Sequence, residues 1–320
     1  MTAPASQPRP TRLPEFGTSA KLAALGLGDS RLALGLAGLG GAWGPVDEGA
    51  SLDAILRALA EGVTVFDAAP AYGVAERLLG RALAQWRGPR PMVSTKVGRL
   101  LGRDDNDLRF DFSTGGMRDG LRRSLDTLGL AAADIVFLHE PEFVPVEDRV
   151  RVGDALRQLQ AEGLTRRLGA GGASVQDWRC YLEAGVIDVV LGFNRLNAVS
   201  FTALTEDLPP MRLRGTAYYA ASPLAMGVLG LNPERWKQAL PPWLSSRTWE
   251  QVARLQCLAA DHGLTLPALA HRFVFGVAEA DRVVLGACTT AELFDALVAW
   301  RSGPLPPEVF DAVSAITNGA

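Results

Sequence analysis

From Arg31 onward, short apolar runs alternate with longer amphipathic stretches. Leu52, Ile55, Leu56 and Leu59 fall on one helical face, Gly62 stops that helix, and the strand Val63–Phe66 follows. Val74–Trp86 reads as a second helix, separated by Gly88-Pro89 from an apolar strand that ends at Lys96. Ser113 is a suitable N-cap for a helix carrying Leu121, Leu125 and Leu128, with Gly129 as its stop. The phrase of helix, glycine and apolar strand then returns three times: Asp154–Glu162 into Arg167–Gly171, Val175–Ala184 into Val186–Phe193, and Phe201–Leu208 into Thr216–Ala221. A last strand, Arg282–Ala287, precedes a helix over Ala291–Trp300. Counting the run from Arg31, eight strand candidates alternate with helices. Their nearly continuous apolar character is that of a sheet covered on both faces.

The pattern predicts an α/β fold, a single-domain (β/α)8 TIM barrel over residues 31–320, rather than an open doubly wound sheet. Residues 1–30 read as an N-terminal arm with room for a short hairpin near Leu22–Leu27. Leu231–Arg247, rich in Trp and Pro, is expected as an insertion between strands 7 and 8. The loop Gly98–Phe112 carries Asp104-Asp-Asn-Asp107, which has too few spaced ligands for a calcium loop and reads as solvated. Gly38-x-Gly40-Gly41 does not match the dinucleotide fingerprint and is expected to serve close backbone approach.

Three predicted strands end in one polar residue: Asp67, Lys96 and His139, with Tyr72 in the loop after Asp67. Barrel active sites lie at the C-terminal strand ends, where these side chains would meet. A phenol beside an ammonium has its pKa lowered and becomes a better proton donor. Asp67 would hold Lys96 charged, and His139 could donate a hydrogen bond to a carbonyl oxygen beside the Tyr72 hydroxyl. The set suits protonation of a carbonyl as a hydride arrives, or the reverse for an alcohol. Composition sharpens the point about Lys96. Only Lys21, Lys96 and Lys237 are lysines among 32 basic residues, and lysine is the base suited to a buried catalytic place.

The rest of the composition mainly excludes. A net charge of −3 gives no basic excess for nucleic acid or an anionic membrane surface. No apolar run has the length of a membrane span, and the proline-rich start lacks a signal-peptide core. Cys180, Cys257 and Cys288 are widely spaced, and His139, His262 and His271 form no ligand cluster, so neither disulfides nor a metal is expected. A cytoplasmic protein with no nucleic-acid or membrane partner is the plain expectation; its oligomeric state is open.

With these residues in view, the sequence resembles the aldo-keto reductases, whose Asp-Tyr-Lys-His tetrad matches Asp67, Tyr72, Lys96 and His139 in order and spacing. Phe66-Asp-Ala-Ala-Pro-Ala-Tyr-Gly73, Glu76-Arg-Leu-Leu-Gly80, Phe110-Asp-Phe-Ser-Thr-Gly-Gly116, Ser124-Leu-Asp-Thr-Leu-Gly129 and His139-Glu-Pro-Glu142 look like the bacterial aldose/fucose-dehydrogenase-type branch. The likeness covers roughly residues 31–300 and is weaker after Arg167. It implies Tyr72 as general acid/base, tuned by Lys96 and Asp67, His139 orienting a small carbonyl or sugar substrate, and NAD(H) or NADP(H) over the barrel mouth. By the same resemblance the cofactor contacts fall on Gly35, Leu36, Ala37, Asp67, Gly171, Gly172, Asn194, Ala221, Ser222, Leu224, Gly286, Cys288, Thr289 and Glu292.

The cofactor half departs from the family pattern. Gly169–Ser174 has no asparagine, the usual glutamine of strand 6 is Val190 with Asn194 as a stand-in, and Ala221 takes the place of a stacking aromatic, Tyr218 and Tyr219 being out of register. No Lys or Arg lies between Val283 and Ala299 to grip a 2′-phosphate, which puts NAD slightly ahead. Thr289-x-x-Glu292 also reads as a capping box. The alternative is a barrel that has lost cofactor binding and serves as a non-redox lyase or isomerase, or as a ligand-binding or regulatory protein. A phosphate-binding sugar-metabolic barrel would take an anion at Gly171–Ser174 or Thr289–Thr290. Trp43 and Phe110 are candidate substrate walls or loop packing; Glu140 is a candidate polyol contact or a solvated acid, and Cys288 a buried filler.

Overall fold

The computed structural model describes residues 8–13, 16–102, 107, 109–212, 214–236 and 244–319. Eight parallel strands close into a barrel: β1 Leu32–Gly35, β2 Val65–Asp67, β3 Met92–Val97, β4 Ala133–His139, β5 Thr165–Gly172, β6 Val189–Phe193, β7 Ala217–Ala221 and β8 Arg282–Gly286. Each pairs with its sequence neighbours, and β1 closes on β8 with Leu32 opposite Val283 and Gly35 opposite Gly286. The (β/α)8 expectation holds, with strand bounds shifted by a few residues.

Alternation with period two sorts the side chains. Ala33, Val65, Ile135, Phe137, Val189, Leu191, Tyr219 and Val284 form the inner cluster, while Leu34, Phe66, Val93, Val136 and Leu138 join the outer layer under the helices. The outer ring is built from α2 Glu48–Ala60, α3 Ala75–Gln85, α4 Thr114–Leu128, α5 Arg149–Ala161, α6 Val175–Glu183, the short α7 Thr202–Thr205 and α8 Leu208–Met211, α9 Ser246–Asp261, α10 Leu266–Phe275 and α11 Thr290–Arg301, with α12 Pro307–Asn318 packed on α9. Ser113 caps α4 through its hydroxyl, and Gly129 ends it in the left-handed conformation, as expected.

The arm differs from the hairpin expectation. Ala20–Ala24 is a one-turn helix, α1, and an antiparallel bridge joins Thr18 to Ser30 at its base. Leu22 and Leu27 are drawn into the N-terminal end of the barrel, where they join the inner cluster. The buried Arg282 guanidinium donates to the carbonyls of Leu27 and Ser30, both at 2.8 Å, and Lys21 pairs with Asp281 at 2.9 Å. That end is therefore plugged, and the opposite mouth is left for chemistry.

Two expectations between strands need amendment. Gly98–Phe112 is more than a loop: Arg99–Leu100 and Arg109–Phe110 pair as an antiparallel hairpin, Arg99 opposite Phe110. Of the acidic run Asp104–Asp107, only Asp107 lies within the described residues. The Trp- and Pro-rich segment does fall between β7 and β8, with its residues 237–243 outside the described ones. The helices α9 and α10 then carry the chain to β8.

Candidate active site

The C-terminal ends of the strands carry the polar residues that the alternation turns inward. Asp67 ends β2 in register with Ser94, Lys96 stands opposite Phe137, and His139 ends β4 opposite Gly171. Lys96 is almost wholly buried, at 2% exposure. Its Nζ donates to Oδ2 of Asp67 at 2.5 Å and to the carbonyl of Ala68 at 3.0 Å. Ser94, two residues earlier and facing the same way, donates to the other Asp67 oxygen at 2.6 Å. Thr95 between them points outward and donates to the buried Glu76 of α3 at 2.5 Å; Ser124 of α4 donates to the same carboxylate at 3.2 Å. The Ser-Thr-Lys triplet thus fixes the pair from inside and ties β3 to two helices outside.

Tyr72 reaches this cluster through a close backbone contact. Gly40 and Gly73 face each other: a Cβ on Gly40 would lie 2.3 Å from the Tyr72 carbonyl, and one on Gly73, whose φ is +56°, would lie 2.3 Å from the Gly40 carbonyl. No side chain fits at either place, so the glycine-rich turn after β1 serves to seat the tyrosine loop. The Lys96 ammonium lies 4.7 Å from the Tyr72 ring centroid, and the Tyr72 and His139 rings meet edge to face at 5.6 Å. All four tetrad candidates therefore converge at one mouth.

The electrostatics correct one expectation. Burial pushes the Tyr72 phenol up, and this outweighs the opposing pull of Lys96, so its pKa lies above the ordinary 10.0 rather than below it. For Lys96, burial acts to lower the pKa, but the charges of Asp67 and Tyr72 prevail and the ammonium is held charged. Burial, reinforced by the positive charges of Lys96 and Arg99, drives His139 well below 6.5, so the imidazole is neutral. Its Nδ1 is buried without a hydrogen-bond partner.

Backbone strain concentrates at the same mouth. Among the described residues, five non-glycine residues have positive φ. Glu140, Asn194 and Ser222 directly follow β4, β6 and β7, and Ala225 and Met226 lie in the loop after β7. Such conformations cost on the order of 1–3 kcal/mol each and collect at functional sites. The Glu140 N–H is fixed to the Gly171 carbonyl at 2.9 Å, and its carboxylate pairs with Arg99 of the hairpin.

The family model for the aldo/keto reductase family matches residues 31–318. The chain belongs to the aldo/keto reductase family. It is similar to an L-galactose dehydrogenase of Arabidopsis thaliana, 30% identical over 283 residues that cover 86% of this chain and 85% of the relative. It is also similar to a D-threo-aldose 1-dehydrogenase of a Pseudomonas species, 29% identical over 300 residues, 86% and 91% of the two chains. Among solved structures, a glycerol dehydrogenase of Gluconobacter oxydans superposes with a TM-score of 0.73 at 24% identity, over 90% and 91% of the chains, a likeness of fold.

Within this aldo/keto reductase barrel the cofactor candidates share the mouth but differ in what they expose. Gly35, Gly172, Ala221 and Gly286 end their strands, Gly171 is the last residue but one of β5, and at Gly286 an added side chain would stand in open space. Leu36 departs from expectation: its side chain is wholly buried in the outer layer, because the step after Gly35 turns outward, so only its backbone faces the mouth. Ala37 is half-buried beside it, and Leu224 packs against the same outer core. Asn194 accepts from the Asn197 amide at 2.9 Å through its own side-chain oxygen, which leaves its NH2 as the free end. Tyr218 is buried outward, donating to Asp207 at 3.2 Å, and Tyr219 points into the barrel toward Arg282, so neither replaces an aromatic at Ala221.

The loop after β8 is a built helix cap. The Thr289 hydroxyl accepts from the Glu292 N–H at 3.2 Å, and the Glu292 carboxylate accepts from the Cys288 N–H at 2.8 Å. A carboxylate thus stands at the start of α11. Cys288 itself is exposed rather than a buried filler, because the cap lifts it clear of the core. Trp43 is 53% exposed, and Phe110 is half-buried in a stack with Phe112 at 5.5 Å and Phe143 at 4.4 Å. Sequence reasoning missed Ser94, Glu76 and Arg99; for the first two the signal was the in–out alternation of Ser94-Thr-Lys96.

The described residues contain no cluster of metal-ligating side chains, and none of their helices is long and apolar enough to cross a membrane.

Proposed function

We propose that the protein is an oxidoreductase that interconverts a small aldehyde, ketone or sugar lactol with its redox partner, using NAD(H) in preference to NADP(H). The observation that carries this reading is the convergence of Asp67, Lys96, Tyr72 and His139 at one barrel mouth. The two dehydrogenase relatives act, by their names, on aldoses, which favours a sugar.

A dinucleotide fits the mouth. Gly286 at the end of β8 is exposed with open space beside it, which leaves its backbone free for a ligand, and the Asn194 amide and Ser222 hydroxyl supply polar contacts. The Glu292 carboxylate at the start of α11 suits a ribose hydroxyl better than a 2′-phosphate, which it would repel. Gly35, Gly171, Gly172, Asn194, Ala221, Ser222, Gly286, Cys288, Thr289 and Glu292 would hold it. When bound, the nicotinamide supplies or accepts the hydride.

The chain's own residues handle the proton and the geometry. Neutral His139 donates a hydrogen bond to the substrate oxygen and fixes its direction. Tyr72, a phenol protonated at neutral pH, gives its proton to that oxygen in reduction and takes it back in oxidation. The Lys96 ammonium stabilises the phenolate as it forms, and Asp67 and Ser94 keep the ammonium in place. A carbonyl oxygen thus meets a donor and an orienting group on one side, with charge already organised behind them.

Titration with NADH and with NADPH, followed by tryptophan fluorescence, and then absorbance assays with NAD+ plus L-galactose or D-arabinose and with NADH plus methylglyoxal, test the reading. Saturable NADH binding with turnover of at least one of these supports it. No binding of either nucleotide at millimolar concentration overturns it in favour of a barrel without redox function.

A further inference from the structure

We propose that the Arg99–Glu140 ion pair is the substrate-recognition element, holding adjacent hydroxyls of a neutral polyhydroxylated aldehyde or lactol beside Tyr72 and His139. The inference rests on the hydride-transfer reading and names its substrate class. Glu140 directly follows His139 and is held in a left-handed conformation, φ 55°, that side-chain-bearing residues rarely adopt. Its N–H is fixed to the end of β5 through Gly171 at 2.9 Å. Arg99 lies three residues beyond Lys96, on the first strand of the hairpin, and pairs with Glu140 through Nη1. The end of β4 and the hairpin strand that follows β3 therefore present one charged pair at the rim of the tetrad.

The pair is not sealed. The side chains of Arg99 and Glu140 remain 28% and 22% exposed, and Glu140 is the hydrogen-bond partner of Arg99 among the described residues. A guanidinium has five N–H donors and a carboxylate about four acceptor sites, which is more than their contact with each other uses. Both charges lie close enough to the tetrad to act on it: Glu140 on the Tyr72 phenol and Arg99 on the His139 imidazole.

The surroundings select the ligand class. Phe110, opposite Arg99 in the hairpin, stacks at 4.4 Å on Phe143, whose N–H donates to the Glu140 carbonyl at 3.1 Å. An apolar aromatic edge beside a donor–acceptor pair matches a sugar, which presents C–H groups on its faces and hydroxyls around its rim. Glu140 balances the charge of Arg99, and the Glu142 carboxylate lies 3.1 Å from where a side chain on Gly172 would begin. Two carboxylates against one guanidinium disfavour a sugar phosphate or a sugar acid.

The test compares kcat/KM for L-galactose or D-arabinose, oxidised with NAD+, with that for methylglyoxal, a carbonyl compound without hydroxyls reduced with NADH, in the full-length enzyme. Arg99→Ala and Glu140→Gly are the variants; glycine keeps the left-handed backbone while removing the carboxylate. Each should lower the aldose-to-methylglyoxal ratio by about ten- to a hundredfold, mainly through KM, as expected for lost hydrogen bonds to a charged group. NADH quenching should persist in both variants, which distinguishes the effect from unfolding. A ratio unmoved in both variants overturns the inference. So does an enzyme that prefers D-arabinose 5-phosphate to D-arabinose, or one that turns over methylglyoxal but no aldose, results that leave hydride transfer standing. Absence of both NADH binding and turnover overturns the hydride-transfer reading and this inference with it.

Discussion

The Lys96 ammonium lies 2.5 Å from the Asp67 carboxylate, and both residues are sealed inside the barrel. A buried pair of this kind is destabilised strongly when one member is lost, by about 3–5 kcal/mol, because the survivor is left charged and unpaired. Lys96→Met should therefore lower stability by about that amount in urea melts and also remove most turnover. The double variant Lys96→Met, Asp67→Asn should regain much of the stability but none of the activity. Equal activity in the double variant and the wild type would show that the pair only supports the fold.

The pH profile should reflect two opposite shifts. His139 is driven well below 6.5, so no acidic limb near that pH should appear in kcat/KM for carbonyl reduction. Tyr72 lies above 10.0 and must be protonated to donate, so reduction should hold level through neutral pH and fall only as pH rises beyond about 10. Alcohol oxidation, which needs the phenolate, should instead climb toward that value. A limb near pH 6.5 that disappears in His139→Gln would contradict a neutral imidazole.

How much of this was readable in advance depends on whether a signal is local. The strand exits at Asp67, Lys96 and His139 were legible because each is the polar end of a nearly continuous apolar run, and the barrel rule places such ends at the mouth. The plug was not, since Leu22 and Leu27 look like any two apolar residues until the barrel end they fill is known. Helix α10 is buried on nearly every face, so Leu266–Phe275 shows little polar–apolar rhythm to read. The direction of the Tyr72 shift was missed because sequence shows the neighbouring charge but not the depth of burial. Arg99 and Glu140 are 41 residues apart, and nothing in a glutamate announces a left-handed backbone.

Cofactor choice should turn on the loop after β8. The Glu292 carboxylate holds the Cys288 N–H at 2.8 Å, and no Lys or Arg lies between Val283 and Ala299. NADH is thus expected to bind more tightly than NADPH. Cys288→Arg combined with Glu292→Gln replaces a repulsive charge by an attractive one and should narrow the NADH-to-NADPH ratio of Kd values by at least about tenfold, since hydrogen bonds between charged groups contribute about 1.5–3 kcal/mol. Fluorescence titration of wild type and variant measures it directly. Tighter NADPH binding by the wild type would place the phosphate-gripping group elsewhere.

His271 makes a prediction about stability rather than turnover. It sits in α10 at 3% exposure, stacked on Phe275 at 5.7 Å, with Nε2 lacking a hydrogen-bond partner. Burial pushes its pKa down to about 4 from the ordinary 6.5. Between those values the unfolded chain binds a proton that the folded chain refuses, so the contribution is fully present above pH 6.5 and is lost as pH falls toward 4. The difference corresponds to about 3 kcal/mol. Urea melts at pH 7 and pH 4 should show His271→Leu losing about 3 kcal/mol less than the wild type over that interval. An equal loss in both proteins would mean that His271 gains its proton without unfolding, through a water path to α10 that the packing around Phe275 does not provide.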